Sequence, residues 1–187
     1  QCLVDATPDI RFQLRSSPDR VFFTHAHLGH LSGLLYFGRE SAATECLPVY
    51  CTQELGAIIR ENAPLSLLVE NNHIDIREIT PCEPENVDTA RFTPIPVLHR
   101  EELPTGTVGY RIDGPNQSLL YLSDIDEWTQ AAIDAVASVD IALVDGCFFD
   151  DGELDRIEDV PHPTMTASFD ALGDVSTDIH FLHLNHT

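Results

Sequence analysis

Lysine is absent from this chain of 187 residues; all ten basic residues are arginine, against 31 acidic ones, for a formal charge of −21. A chain so short of cations offers no basic patch for neutralising nucleic-acid phosphates, so no nucleic-acid partner is expected. Missing as well is any run of about 18 apolar residues, and no basic stretch leads into an apolar one at the front. Neither a membrane span nor an intact signal peptide is expected. The five cysteines (Cys2, Cys46, Cys51, Cys82 and Cys147) form no Cys-x-x-Cys pair and are odd in number. A secreted disulfide framework is thereby excluded, and buried free thiols in a cytoplasmic protein are the expectation. Repeats and low-complexity stretches are lacking too.

What is present suits one domain of ordinary size, residues 1–187, long enough to bury about 70% of the surface of the unfolded chain. The acidic, lysine-free composition resembles that of proteins from salt-loving archaea, whose carboxylate surfaces stay soluble while salt screens their self-repulsion. Strands and helices alternate at short spacing, which predicts an α/β layered fold. Strands are expected at 2–5, 20–24, 49–51, 74–79, 92–98, 106–112, 118–122, 141–144 and 179–182, with the three from 92 to 122 forming a meander. Helices are expected at 9–16, from 31 until Gly38, and at 53–62, 127–137 and 166–172. Residues 150–158 read as an acidic, solvated loop. The pattern begins inside a strand and stops at His183 to Thr187, so front strands of the domain, and part of its back edge, are expected to be missing.

The chemistry concentrates in Thr24-His25-Ala26-His27-Leu28-Gly29-His30. Residues i and i+2 leaving a strand project to one side, and a loop turning into a helix returns i+5 to their neighbourhood. Three imidazoles so converged suit a borderline metal such as zinc, with a coordination position left for water.

This run, behind its apolar strand, resembles the His-x-His-x-Asp-His signature of the metallo-β-lactamase superfamily. Further parts follow in that family's order: Leu3-Val4-Asp5-Ala6, Val97-Leu98-His99, Leu120-Tyr121-Leu122-Ser123-Asp124 and Phe181-Leu182-His183. Within the superfamily the sequence is most similar to the pyrroloquinoline quinone biosynthesis protein B (PqqB-like) group. That likeness rests on Asp5-Ala6-Thr7-Pro8-Asp9-Ile10-Arg11, Val144-Asp145-Gly146-Cys147-Phe148-Phe149, His162-Pro163-Thr164-Met165 and His183-Leu184-Asn185-His186-Thr187.

The resemblance implies an αβ/βα four-layer sandwich. It also implies His25, His27 and His99 as ligands of one metal, and His30, Asp124 and His183 as ligands of another, with Asp124 able to bridge. Gly29 stands where the family has an aspartate ligand, so one or two ions are open, and His186 or His162 is an alternative ligand. Zinc is expected, with iron or manganese also suited to this set. A zinc-bound water of pKa about 7 would supply hydroxide for hydrolysis of a small-molecule ester, phosphodiester or amide. Asp124 would orient it or carry its proton, and His162 would act as acid for the leaving group, or else merely cap the following helix. Asp5, Asp145 and Thr24 are expected to orient ligand histidines, and His186 to touch substrate or orient a ligand. His73 reads as an exposed turn residue. His180, at opposite parity to His183, is expected to face away from the site. Two other readings stand beside hydrolysis: an iron-dependent redox or oxygenase step in quinone cofactor biosynthesis, and a non-catalytic metal-binding module.

Overall fold

A computed structural model describes residues 1–100, 103–153 and 160–184. His186 and residues 154–158 of the acidic loop lie outside the described residues. The chain divides into two compact units, one of residues 1–80 with 101–106, the other of 81–100 with 107–187. Each unit holds one sheet.

In the first unit, Val21, Phe22 and Phe23 are fully buried, and the strand that ends in them lies inside an all-parallel sheet. The sheet runs β1 (Cys2–Val4), β2 (Arg20–Phe22), β3 (Leu47–Thr52), β4 (Ile74–Ile79) in sequence order. Parallel neighbours require crossovers. They are made through α1 (Ile10–Gln13), α2 (Leu28–Leu31) with the 3₁₀ turns of Ser32–Phe37, and α3 (Gln53–Glu61) followed by α4 (Ser66–Glu70). Thr52 caps α3 by accepting a bond from Leu55 N, and Leu55 and Ile59, four residues apart, are both buried. The core gathers Val21, Phe23, Leu34, Phe37, Val49, Leu55 and Ile59.

The segment after the histidines is not the α-helix expected from 31. Leu31, Leu34 and Phe37 recur every third residue and are all buried, whereas Leu35 is 44% exposed. A buried stripe of period three fits the three-residue turn of a 3₁₀ helix. Gly33 adds to this, since a Cβ there would sit 2.2 Å from the Thr7 carbonyl oxygen.

The second unit carries β5 (Glu85–Val87), β6 (Ala90–Pro96), β7 (Val108–Asp113) and β8 (Ser118–Leu122) as an antiparallel meander. Then β9 (Ile141–Asp145) and β10 (Asp178–Leu182) join β8 in parallel, through α5 (Gln130–Ala137) and α6 (Met165–Leu172). Thr129 and Thr164 cap these helices through Ala132 N and Ala167 N. Leu120, Leu122, Val136, Ala142, Val144 and Leu172 form the core. The fold is therefore α/β with one parallel and one mixed sheet, and α4 and β5 are additions to the elements expected from sequence.

Two expectations about single residues fail. Cys2, Cys46 and Cys82 are exposed, and only Cys51 is buried outright, where burial pushes its thiol up to about 12. Cys46 and Cys82 occupy left-handed turn positions at φ 50° and 66°, which hold them at the surface. His73 is half-buried, its Nδ1 2.9 Å from the Thr44 carbonyl oxygen, because the preceding turn tucks its ring against that loop. Among the described residues, no helix is long and apolar enough to cross a membrane.

Candidate metal centre

In the first unit the chain leaves β1 at Asp5, which takes φ 58°, and this left-handed step turns its carboxylate beneath the loop after β2. Asp5 Oδ1 accepts from Thr24 N at 2.9 Å, and Asp5 Oδ2 accepts from Thr24 Oγ1 at 2.9 Å. Because the Thr24 hydroxyl spends its proton on Asp5, its oxygen accepts from His25 Nδ1 at 2.8 Å. His30 Nδ1 lies 2.9 Å from Asp5 Oδ2; a carboxylate only accepts, so Nδ1 donates. Both rings are thus held by Nδ1 and present Nε2 from the opposite edge. The His25 ring stands 4.5 Å from that of His27 and 4.4 Å from that of His30. Backbone bonds clamp the two loops together: Ala6 N to His30 O at 2.7 Å, and Gly33 N to Ala6 O at 2.8 Å. Gly29 lies in the first turn of α2, and a Cβ there would meet nothing within 4 Å.

In the second unit the site residues are gathered from the ends of β6, β8, β9 and β10. His99 follows β6, and its side chain is wholly buried. Asp126 Oδ1 accepts from His99 Nδ1 at 3.0 Å and from Arg100 N at 3.1 Å, while Asp126 N donates to Leu98 O at 2.8 Å. Held by this clasp, His99 directs Nε2 to within 3.9 Å of Asp124 Oδ1. Asp124, just past β8, is 4% exposed. His183 follows β10 at φ 64°, its Nδ1 3.7 Å from Asp124 Oδ1 and 3.7 Å from Asp145 Oδ1. Gly146 allows this approach of strand ends, since a Cβ there would lie 2.8 Å from Phe181 Cβ and 3.0 Å from Leu182 O.

Asp145 ends β9, fully buried, and its Oδ2 accepts from His162 Nδ1 at 2.6 Å. Burial pushes its carboxyl up, but the hydrogen bond from His162 and the charge of both neighbouring histidines outweigh that and hold it below the ordinary carboxylate range. The alternative role of His162 as a helix cap is overturned, because Thr164 caps α6. Cys147 is half-buried, and burial, then the negative charge of Asp145 and Asp124, push its thiol up to about 12. Ligand atoms of Cys147, His162 and His183 lie within 4.8 Å of one another.

Asp5, Thr24, His25, His27 and His30 are therefore brought together in one unit, and His99, Asp124, Asp145, His162 and His183 in the other. His180 stands apart, its side chain 56% exposed beside Asp178. Sequence reasoning passed over Asp126, although it repeats the acidic residue at 124 two positions on, and it passed over Cys147 as a donor.

The donors fit a metal. A ligating histidine nearly always gives its other ring nitrogen to a carboxylate, hydroxyl or carbonyl that fixes tautomer and orientation, and His25, His30, His99 and His162 all do so. Imidazole with carboxylate is also the donor chemistry of zinc, iron and manganese.

Comparison with known proteins agrees with this architecture. The Beta-lactamase superfamily domain matches residues 1–183. An octanoyltransferase of Porphyromonas gingivalis is 25% identical over 98% of this chain, which spans 36% of that relative's length. The zinc-bound PqqB of Methylobacterium extorquens superposes with a TM-score of 0.80 at 22% identity, covering 98% of this chain and 72% of that one. A diphosphatase of the PhnP family superposes at 0.71 and 24% identity, over 99% of this chain and 68% of its own. A metallo-β-lactamase fold carrying histidine and carboxylate donors, matched by the family over nearly its whole length, places this chain in the beta-lactamase superfamily.

Proposed function

We propose that the chain is a metal-dependent hydrolase of a small-molecule ester, phosphodiester or amide. The observation that carries this reading is the anchoring of histidine Nδ1 atoms, by Asp5 and Thr24 in one unit and by Asp126 and Asp145 in the other. Anchors of this kind have a purpose at a metal and little at a merely structural histidine. The ligand assignment follows the family motif: His25, His27 and His99 for one ion, and His30, Asp124 and His183 for a second. Zinc, when bound, supplies Lewis acidity and activates water at neutral pH.

The protein's own residues divide the remaining work. Asp124, buried beside His99 and His183, orients the attacking water and takes up its proton. His162, its Nδ1 fixed by Asp145, holds a proton at Nε2 for the departing oxygen or nitrogen. The likeness to a PhnP-family diphosphatase supports testing phosphoesters first.

The test pairs metal analysis with an assay. Protein purified without added metal is expected to hold zinc and to cleave an activated phosphodiester or ester in a chelator-sensitive way. His27→Ala and His99→Ala should each abolish tight binding, and His180→Ala should retain it. Equal retention in all three sinks the ligand assignment, and stoichiometric iron with no zinc and no hydrolysis sinks the hydrolase.

A further inference from the structure

We propose that Cys147, His162 and His183 form a thiolate-bearing site for a borderline or soft divalent ion, sharing His183 with the hydrolytic set, and that an ion there switches the hydrolase off. The inference rests on the reading of His162 as proton donor, because the same Nε2 cannot both ligate an ion and protonate a leaving group.

All three side chains belong to the second unit, and the fold holds each one. Cys147 N donates to Asp145 Oδ1 at 3.0 Å, fixing the turn after β9. His162 is only 5% exposed and is pinned through Nδ1 to Asp145 Oδ2, so the opposite edge of its ring is the one presented. Its ring centroid lies 5.4 Å from that of His183. Ligand atoms of the three lie within 4.8 Å of one another. Around a tetrahedral zinc, with bonds of about 2.0–2.3 Å, donor atoms stand roughly 3.3–3.7 Å apart, so a closure of about 1 Å completes the set.

The donor types decide which ions enter. Two imidazoles and a thiolate are softer than the imidazole and carboxylate set assigned to hydrolysis, and they favour zinc, cobalt or cadmium over magnesium, calcium or manganese. Binding displaces the thiol proton of Cys147 and the proton that His162 holds at Nε2, so two protons are released to solvent for each ion taken up. Asp145 then supports a ligand, and the protein loses its proton donor and draws His183 away from His30 and Asp124, while His25, His27 and His99 stay in place. Activity would therefore fall as the supply of such ions rises.

The test uses cobalt, whose bond to sulfur gives a charge-transfer band in the near ultraviolet. The full chain carries Cys2→Ser, Cys46→Ser and Cys82→Ser, which removes the three exposed thiols. Cobalt is added by equivalents while absorbance and hydrolysis are read at the same points. The expected result is a thiolate band growing after the first equivalent, with an accompanying loss of rate of about 100-fold, the scale of a lost general acid. Cys147→Ser, or Cys147→Ala should the serine fold poorly, should lose both band and inhibition while keeping the first equivalent. His162→Gln should weaken the later equivalent. No thiolate band at any later equivalent, a band that survives Cys147→Ser, or a band with no change in rate overturns the proposal and leaves the hydrolase standing. A chain that binds no cobalt through His27 and His99 fails the hydrolase reading, and this one with it.

Discussion

One carboxylate supports His25 and His30 in the histidine loop of the first unit, whereas the second unit divides the same task between two. Asp5 takes the Thr24 amide and hydroxyl and the His30 ring, and through Thr24 it also sets His25. In the second unit Asp126 holds His99, and Asp145 holds His162 and stands near His183. The first arrangement follows from ligands lying within six positions of one chain segment, over which a single buried group can reach both ends of the run. The second follows from ligands delivered by separate strand ends, each needing its own support. Damage to a support should therefore spread in the first unit and stay local in the second.

The largest effect should come from Asp5→Ala. It leaves buried donors on Thr24 and His30 without their acceptor, a cost of about 2–4 kcal/mol in denaturant unfolding. Metal affinity should fall by roughly 10–100-fold in a chelator competition. Asp126→Asn should cost about tenfold in affinity through His99 and less than about 1 kcal/mol in stability, since the Asp126 side chain is 20% exposed. If the two substitutions are equally damaging to stability, the contrast between the units is broken.

Gly29→Asp sharpens the comparison from the opposite side. With no atom within 4 Å of the new Cβ and glycine leaving a helical turn, stability should hold or rise by about 0.5 kcal/mol. Plasma emission analysis should then show a second tightly held ion that the parent chain binds weakly or not at all.

The smallest effect concerns the edge of the second sheet. Hydrogen bonds from the Ser118 amide and then its hydroxyl hold the Asp140 carboxyl below its ordinary value of 3.8. A lowered folded-state value stabilises above the ordinary one, and that contribution disappears as pH falls through the folded value. Asp140→Asn should accordingly flatten the acid limb of the stability profile below about pH 4, lowering neutral stability slightly and leaving acid stability little changed. An acid limb as steep as the parent's would show that other carboxylates set it.

The histidine run and the strands around it were legible because their signals are local: an apolar strand, a fixed spacing, a glycine stop. The strands expected at 74–79, 118–122, 141–144 and 179–182 all lie where they were expected, within a residue. Asp126 was not legible, since what gives it a purpose is the return of β8 beside the segment after β6, a long-range pairing no short window contains. Glu85–Val87 and Ser66–Glu70 were missed for a different reason: three and five residues are too few to display a period. The exposed cysteines show the converse error, a residue type read by its average burial where backbone turns at Cys46 and Cys82 decided otherwise.

Gly33, set against the carbonyls of Ala6 and Thr7, has a consequence for how an ion arrives. With Ala6 bonded to both His30 and Gly33, the carboxylate loop and the histidine loop form one cooperative piece that opens together or not at all. Because these bonds join backbone to backbone and need no ion, the receptor loop should have little left to order when one binds. Uptake through these histidines should run at a rate set by collision and dehydration of the ion, and amide exchange at Ala6 and Gly33 should be equally slow before and after loading.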